Sequence, residues 1–126
     1  MDSAVLLLLV EDEPLLLMSA RETLADGGFA VRESSGGADA MRLLDDGHRE
    51  FAGLITDIRL GDGPDGWEVA RHARLLKPDI AIVYTTGDSA HHWDAEGVPR
   101  SVILVKPFAE AQLLTAIAGL LNQGDG

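Results

Sequence analysis

Short apolar runs alternate along the chain with longer segments patterned at helical spacing, and this alternation sets the elements. Ala4 to Val10 is unbroken apolar sequence of strand length, as expected of a strand covered on both faces. It stops at Glu11-Asp12-Glu13-Pro14. Proline suits a first helical turn and acids favour its positive end, so a helix is predicted from Pro14 through Leu24, closed at Gly27-Gly28. Phe29 to Ser34 predicts a shorter, partly polar strand suited to a sheet edge, and Ala38 to Asp46 a helix. Ala52 to Asp57 predicts a central buried strand, and Trp67 to Leu76 a helix opened after Asp65-Gly66 and closed by Lys77-Pro78. Ile80 to Thr86 is a β-rich run ending at Gly87. Ser89 to Glu96 predicts a short, poorly patterned helix, Ser101 to Val105 a fifth strand, and Glu110 to Leu121 a last helix with Leu113, Ala116, Ile117 and Leu120 on one face.

Strands alternating with helices in this way predict right-handed crossovers and an α/β fold, a parallel sheet with helices on both faces. The 126 residues are expected to form a single domain, with a core over about 4–121 and a frayed tail at 122–126. No repeat, linker or appended output domain is read from the sequence.

Composition narrows the function. The net charge of −11 argues against nucleic acid and against anionic membrane, because both are held mainly by Lys and Arg. The absence of cysteine removes disulfides and thiolate metal sites. Met1-Asp2-Ser3 is acidic, unlike a signal peptide, and Ala4 to Val10 is too short to cross a bilayer. A soluble cytoplasmic protein, monomeric by default, is expected.

The chemistry collects at strand ends. Glu11-Asp12 follows the first strand, Asp57 ends the third, Thr86 closes the fourth and Lys106 follows the fifth. In an open parallel sheet these ends lie on one edge, where ligands bind. At about 5 Å and an effective dielectric of about 20, each pair of carboxylates costs roughly 3 kcal/mol. A hard divalent cation, Mg2+ by preference, relieves that repulsion. Lys106 adds a point charge suited to a phosphoryl oxygen, and a carboxylate can attack phosphorus to give an acyl phosphate. The set points to phosphoryl transfer onto Asp57.

With Glu11-Asp12, Asp57, Thr86-Gly87 and Lys106-Pro107-Phe108 in order, the sequence from about Ala4 to Leu121 resembles the receiver domain of two-component response regulators, of the stand-alone type. The resemblance implies a flavodoxin-like, doubly wound five-stranded sheet in the order 2-1-3-4-5. It implies that Asp57 takes a phosphoryl group from a sensor histidine kinase or histidine phosphotransfer protein. Asp12 would then bind Mg2+ directly and Glu11 through water, with the backbone carbonyl of Arg59 completing the shell. Thr86 would bond the phosphoryl group, Lys106 would pair with it, and Lys106-Pro107 would be cis. The protein would catalyse its own aspartyl phosphorylation and dephosphorylation rather than act as a conventional enzyme.

Two positions depart from the family pattern. Ile103 stands three residues before the lysine, where an aromatic switch residue is usual, and the loop from Asp57 to Gly66 is one residue longer than common. Arg59 is expected to screen the phosphoryl group or slow attacking water. Leu15-Leu16-Leu17-Met18 sweeps most of a helix circumference, so at least one of these side chains is expected to be exposed beside the acids. Leu15, Met18 and Pro107 are therefore read as a docking patch for the phosphodonor, and Trp67 as core or rim packing. His91-His92 with Asp94 reads as a solvated stretch rather than a metal site. Output would be contact with a downstream protein. The rivals are a phosphorelay intermediate, a phosphate sink, a phosphorylation-independent interaction module, and a flavodoxin-like ligand binder or small phosphatase.

Overall fold

The fold is taken from a computed structural model, which describes residues 4–124. Five parallel strands, β1 (Leu6–Val10), β2 (Ala30–Ser34), β3 (Gly53–Asp57), β4 (Ala81–Thr86) and β5 (Ser101–Val105), form one sheet in the order β2-β1-β3-β4-β5. They alternate with α1 (Pro14–Asp26), α2 (Gly37–Gly47), α3 (Gly66–Leu76), α4 (Trp93–Glu96) and α5 (Glu110–Gly124). This is the flavodoxin-like order that the family resemblance implies.

The side-chain period of a strand explains why β1 reads as continuously apolar. Leu8 and Val10 point to the face covered by α2 and α3, where they join Leu43, Leu44, Leu54, Val69 and Tyr84. Leu7 and Leu9 point to the other face and meet Leu24 of α1 and Leu113 and Ile117 of α5. β3 is buried from end to end, so its last residue, Asp57, leaves a fully covered strand at the sheet's rim.

Several boundaries shift from the sequence reading. β1 begins at Leu6 rather than Ala4, where pairing with β2 begins. The tail expected to fray is helical through Gly124, because Leu120 is buried and carries α5 a further turn; Asp125 and Gly126 lie outside the described residues, as do Met1 to Ser3. The segment from Ser89 to Glu96 holds only a 3-10 turn at Ala90–His92 and the four-residue α4. It ends where the Gly97 backbone leaves helical geometry.

α3 opens with a capping box, the Asp65 carboxylate accepting from the Glu68 amide at 2.9 Å. Its first residue, Gly66, donates its amide to the Ile58 carbonyl at 2.8 Å. A Cβ at position 66 would collide with the Asp57 carbonyl and stand 2.8 Å from the Ile58 Cα. The close approach of α3 to the end of β3 thus requires glycine. Gly66→Ala is expected to lower stability by about 1–3 kcal/mol through overpacking, measured by urea unfolding. An unchanged unfolding midpoint would show that α3 does not hold the end of β3.

Candidate functional site

The strand ends bring the expected acids and lysine together. Glu11, just past β1, is 5% exposed although it is a carboxylate. Its Oε1 accepts from the Lys106 Nζ at 2.9 Å and its Oε2 from the Glu13 amide at 3.2 Å. Asp57 is 8% exposed; its Oδ1 accepts from the Ile58 amide at 2.9 Å, and its Oδ2 lies 3.3 Å from the same Lys106 Nζ. Asp12 is exposed and completes the group: one carboxylate oxygen from each of Glu11, Asp12 and Asp57 lies within 4.8 Å of the others.

One ammonium thus faces three carboxylates. Burial pushes the Asp57 carboxyl above the ordinary range, and Lys106 and the Ile58 amide only partly oppose it. Burial also pushes Glu11 up, with the charge of Asp57 adding to it against the Lys106 hydrogen bond. For Lys106, burial pulls downward but is outweighed by the Glu11 hydrogen bond and the two carboxylates, so its pKa is raised. The excess negative charge fits a divalent cation. Both oxygens of Glu11 and both of Asp57 already face a donor, and the exposed Asp12 carboxylate completes the trio. The loop carrying Arg59 passes close by, since a Cβ at Gly61 would lie 3.8 Å from the Asp12 Oδ2.

Thr86 is 1% exposed, and its Oγ1 accepts from the Asp88 amide at 3.2 Å and the Ser89 amide at 2.8 Å. Its carbonyl accepts from the Lys106 amide at 2.7 Å, tying β4 to the end of β5. Lys106-Pro107 is cis. The Arg59 guanidinium pairs with Asp88 at 2.9 Å, so in this state it is held by the β4–α4 loop. Sequence reasoning missed Asp88 and Ser89. Their signal was a Thr-Gly-Asp-Ser run in which the Thr86 hydroxyl accepts from two amides and the Asp88 carboxylate from the Ser89 hydroxyl, a turn chemistry that does not reveal a partner on another loop.

Ile103 is half-buried on β5 against the α3-side core and opposite Tyr84. The buried ring on this face comes from β4: Tyr84 is 0% exposed, lies 4.7 Å from the Trp67 ring, and accepts from the Val98 amide at 3.1 Å. Trp67 is therefore core. His91 and His92 stack on each other with centroids 3.9 Å apart. Among the described residues, the acidic trio is the one group of three metal-ligating side chains that converges.

α1 buries only Thr23 and Leu24, leaving Leu15 74%, Leu16 40% and Met18 45% exposed. A cavity of about 410 Å3 lies between α1 and the start of α5, with Leu16, Phe108 and the exposed Pro107 in its wall and Glu11 and Lys106 at the acidic site. Of the apolar sweep on α1, Leu16 lines this cavity with Pro107, while Leu15 and Met18 are exposed on α1 outside its wall.

The response regulator receiver domain family matches residues 7–118. The chain belongs to that family. It is similar to a response regulator receiver protein from Sinorhizobium medicae WSM419, with a TM-score of 0.94 and 48% identity over 97% of this chain and 98% of that one. It is 32% identical to the receiver protein CpdR of Brucella abortus, covering 91% of this chain and 95% of that protein. The receiver domain of the sensor histidine kinase PA1611 of Pseudomonas aeruginosa shares the fold, with a TM-score of 0.82 and 22% identity over 95% and 99% of the two chains; that protein holds a magnesium ion in its active-site cleft. The chain spans 13% and 52% of the length of other curated relatives it matches. It is a receiver domain of a two-component system with an acidic cluster of the kind that holds Mg2+ in this family. Among the described residues, no helix is long and apolar enough to cross a membrane.

Glu11 and Asp57 hold protons more tightly in the folded chain than in the unfolded one. The metal-free protein therefore loses stability as pH rises from the ordinary carboxylate range through their raised values. Asp57→Asn removes one of these charges and is expected to raise the melting temperature by about 3 °C near neutral pH without divalent cations. Added Mg2+ is expected to stabilise the wild type and narrow the gap. A variant that melts below the wild type without Mg2+ would contradict this electrostatic account.

Proposed function

We propose that this receiver accepts a phosphoryl group on Asp57 from a phosphohistidine of a sensor histidine kinase or histidine phosphotransfer protein, and signals through contact with a downstream protein. The observation that carries the reading is the convergence of Glu11, Asp12 and Asp57 on one another beside a single lysine, which bonds Glu11 at 2.9 Å and lies 3.3 Å from Asp57. A structural cluster has no need of this charge imbalance; a site that takes up a cation and a phosphoryl group does.

In the transfer, an Asp57 carboxylate oxygen forms a P–O bond as the donor's P–N bond breaks, and the electron pair returns to the imidazole nitrogen. Lys106 neutralises charge on a phosphoryl oxygen, and the Thr86 hydroxyl, whose Oγ1 accepts from the Asp88 and Ser89 amides, donates a hydrogen bond to another. Asp12, Asp57 and the Arg59 carbonyl, with Glu11 behind them, would hold Mg2+, which would supply further electrostatic stabilisation of the phosphoryl group. Hydrolysis of the acyl phosphate by water resets the site. A cytoplasmic setting is part of this reading.

Leu16, which lines the cavity, and the exposed Leu15 and Met18 of the same helix suit the apolar face of a donor helix. Charge substitution at Leu15 or Met18 is expected to slow transfer from a phosphohistidine protein about tenfold while leaving transfer from acetyl phosphate unchanged, consistent with loss of one buried contact. Equal rates from the protein donor would remove the docking surface from the account. The central reaction is tested with acetyl phosphate by intact mass. Wild type with Mg2+ should gain one phosphoryl group, while wild type without Mg2+ and Asp57→Asn should gain none. Signalling unaffected by Asp57→Asn would instead support a phosphorylation-independent interaction module.

A further inference from the structure

Ile103 has no ring to turn, and Tyr84, opposite it, is held by burial and by the Val98 amide. A chain of side-chain contacts leads out of the site instead. The Thr86 Oγ1 accepts from the Asp88 and Ser89 amides. The Ser89 hydroxyl donates to the Asp88 Oδ1 at 3.0 Å, and the Asp88 Oδ2 pairs with the Arg59 guanidinium at 2.9 Å. Arg59 belongs to the β3–α3 loop, two residues after Asp57, so this one ion pair ties that loop to the β4–α4 loop across the rim of the site.

The segment so tied is lightly held. α4 has four residues and a single 3-10 turn precedes it. Its far end is fastened by Arg71 of α3, which lies 3.3 Å from the Glu96 Oε1 and donates to the Glu96 carbonyl at 3.2 Å. Between these two anchors sit Trp93, whose Nε1 donates to the Ser101 hydroxyl at 3.0 Å, and the exposed histidine pair. The Arg59 and Asp88 side chains are 76% and 56% exposed, so the pair shifts the local equilibrium by only a small factor and is readily exchanged.

We propose that Arg59 and Asp88 form the output switch of this receiver, resting on Asp57 being the phosphoryl acceptor. A phosphoryl group on Asp57 presents more negative charge and three acceptor oxygens within the loop that carries Arg59, and a guanidinium prefers that geometry to a single carboxylate. Arg59 passes from Asp88 to the phosphoryl group while Thr86 turns its hydroxyl toward it. Asp88 loses its partner, the turn at Asp88-Ser89 loosens, and residues 87–98 open at the Asp88 end while Arg71 keeps the other. The ion pair thus takes the role that a ring at position 103 would have played, and the signal surface is the α4 segment.

Amide hydrogen exchange over residues 87–98 tests this, with intact mass read in parallel on samples treated with acetyl phosphate and Mg2+. Phosphorylated wild type is expected to exchange roughly two- to fivefold faster in this segment, the range of one exposed ion pair. Asp88→Ala is expected to exchange at the raised rate before phosphorylation and to change little after it, with the same gain in mass. Asp88→Glu, which keeps the charge, should respond as wild type. Phosphorylated wild type with unaltered exchange, or Asp88→Ala responding as wild type does, overturns the switch and leaves the acceptor reading standing. Wild type that gains no phosphoryl group overturns both.

Discussion

Everything at this site follows from three carboxylates meeting one ammonium at the rim of a parallel sheet. The repulsion is built in by topology: β1 and β3 are neighbours, and each releases its acid at the same edge. Lys106 reaches Glu11 and Asp57 together but cannot balance a third charge. The metal-free protein therefore holds Glu11 and Asp57 with raised proton affinity inside a fold that buries both. That is a cost to stability, which a bound cation would offset. The core is arranged to sustain it, since β3 is fully covered and α3 is pressed against its end through Gly66.

The rigid parts of the site stand beside parts that are easily moved. Asp57, Glu11 and Lys106 rest on strands whose side chains fill two continuous cores. The β4–α4 loop rests on a threonine cap, one serine bond and an exposed ion pair. A short α4 fits this division. A full helix packed on β5 would add apolar contacts and resist opening, whereas four residues fastened at their ends do not.

Much of this was legible in the sequence, for local reasons. Strand-end acids, the lysine before proline and the glycine after Thr86 are read from neighbouring residues, and parallel topology gathers them without further information. The apolar sweep from Leu15 to Met18 told that α1 must expose part of itself, because helix geometry allows nothing else. The Arg59–Asp88 pair was not legible, because it joins two loops whose approach depends on the tertiary fold. The boundary of α5 was misplaced because Asn122-Gln123-Gly124 reads as a polar tail, whereas the helix held by the expected apolar face, Leu120 included, runs on through it. Ile103 read as a missing switch. The structure adds that the ring on that face belongs to Tyr84 on the neighbouring strand, already bound to the Val98 amide.

The most direct measurement asks which carboxylate carries the phosphoryl group. Protein treated with acetyl phosphate and Mg2+ can be reduced with borohydride, which converts an aspartyl phosphate to homoserine, and the peptides then sequenced by mass spectrometry. The account predicts homoserine at position 57 alone, with Glu11 and Asp12 unmodified. Reduction at either of those acids, or at none of the three in protein that has gained a phosphoryl group, would contradict it.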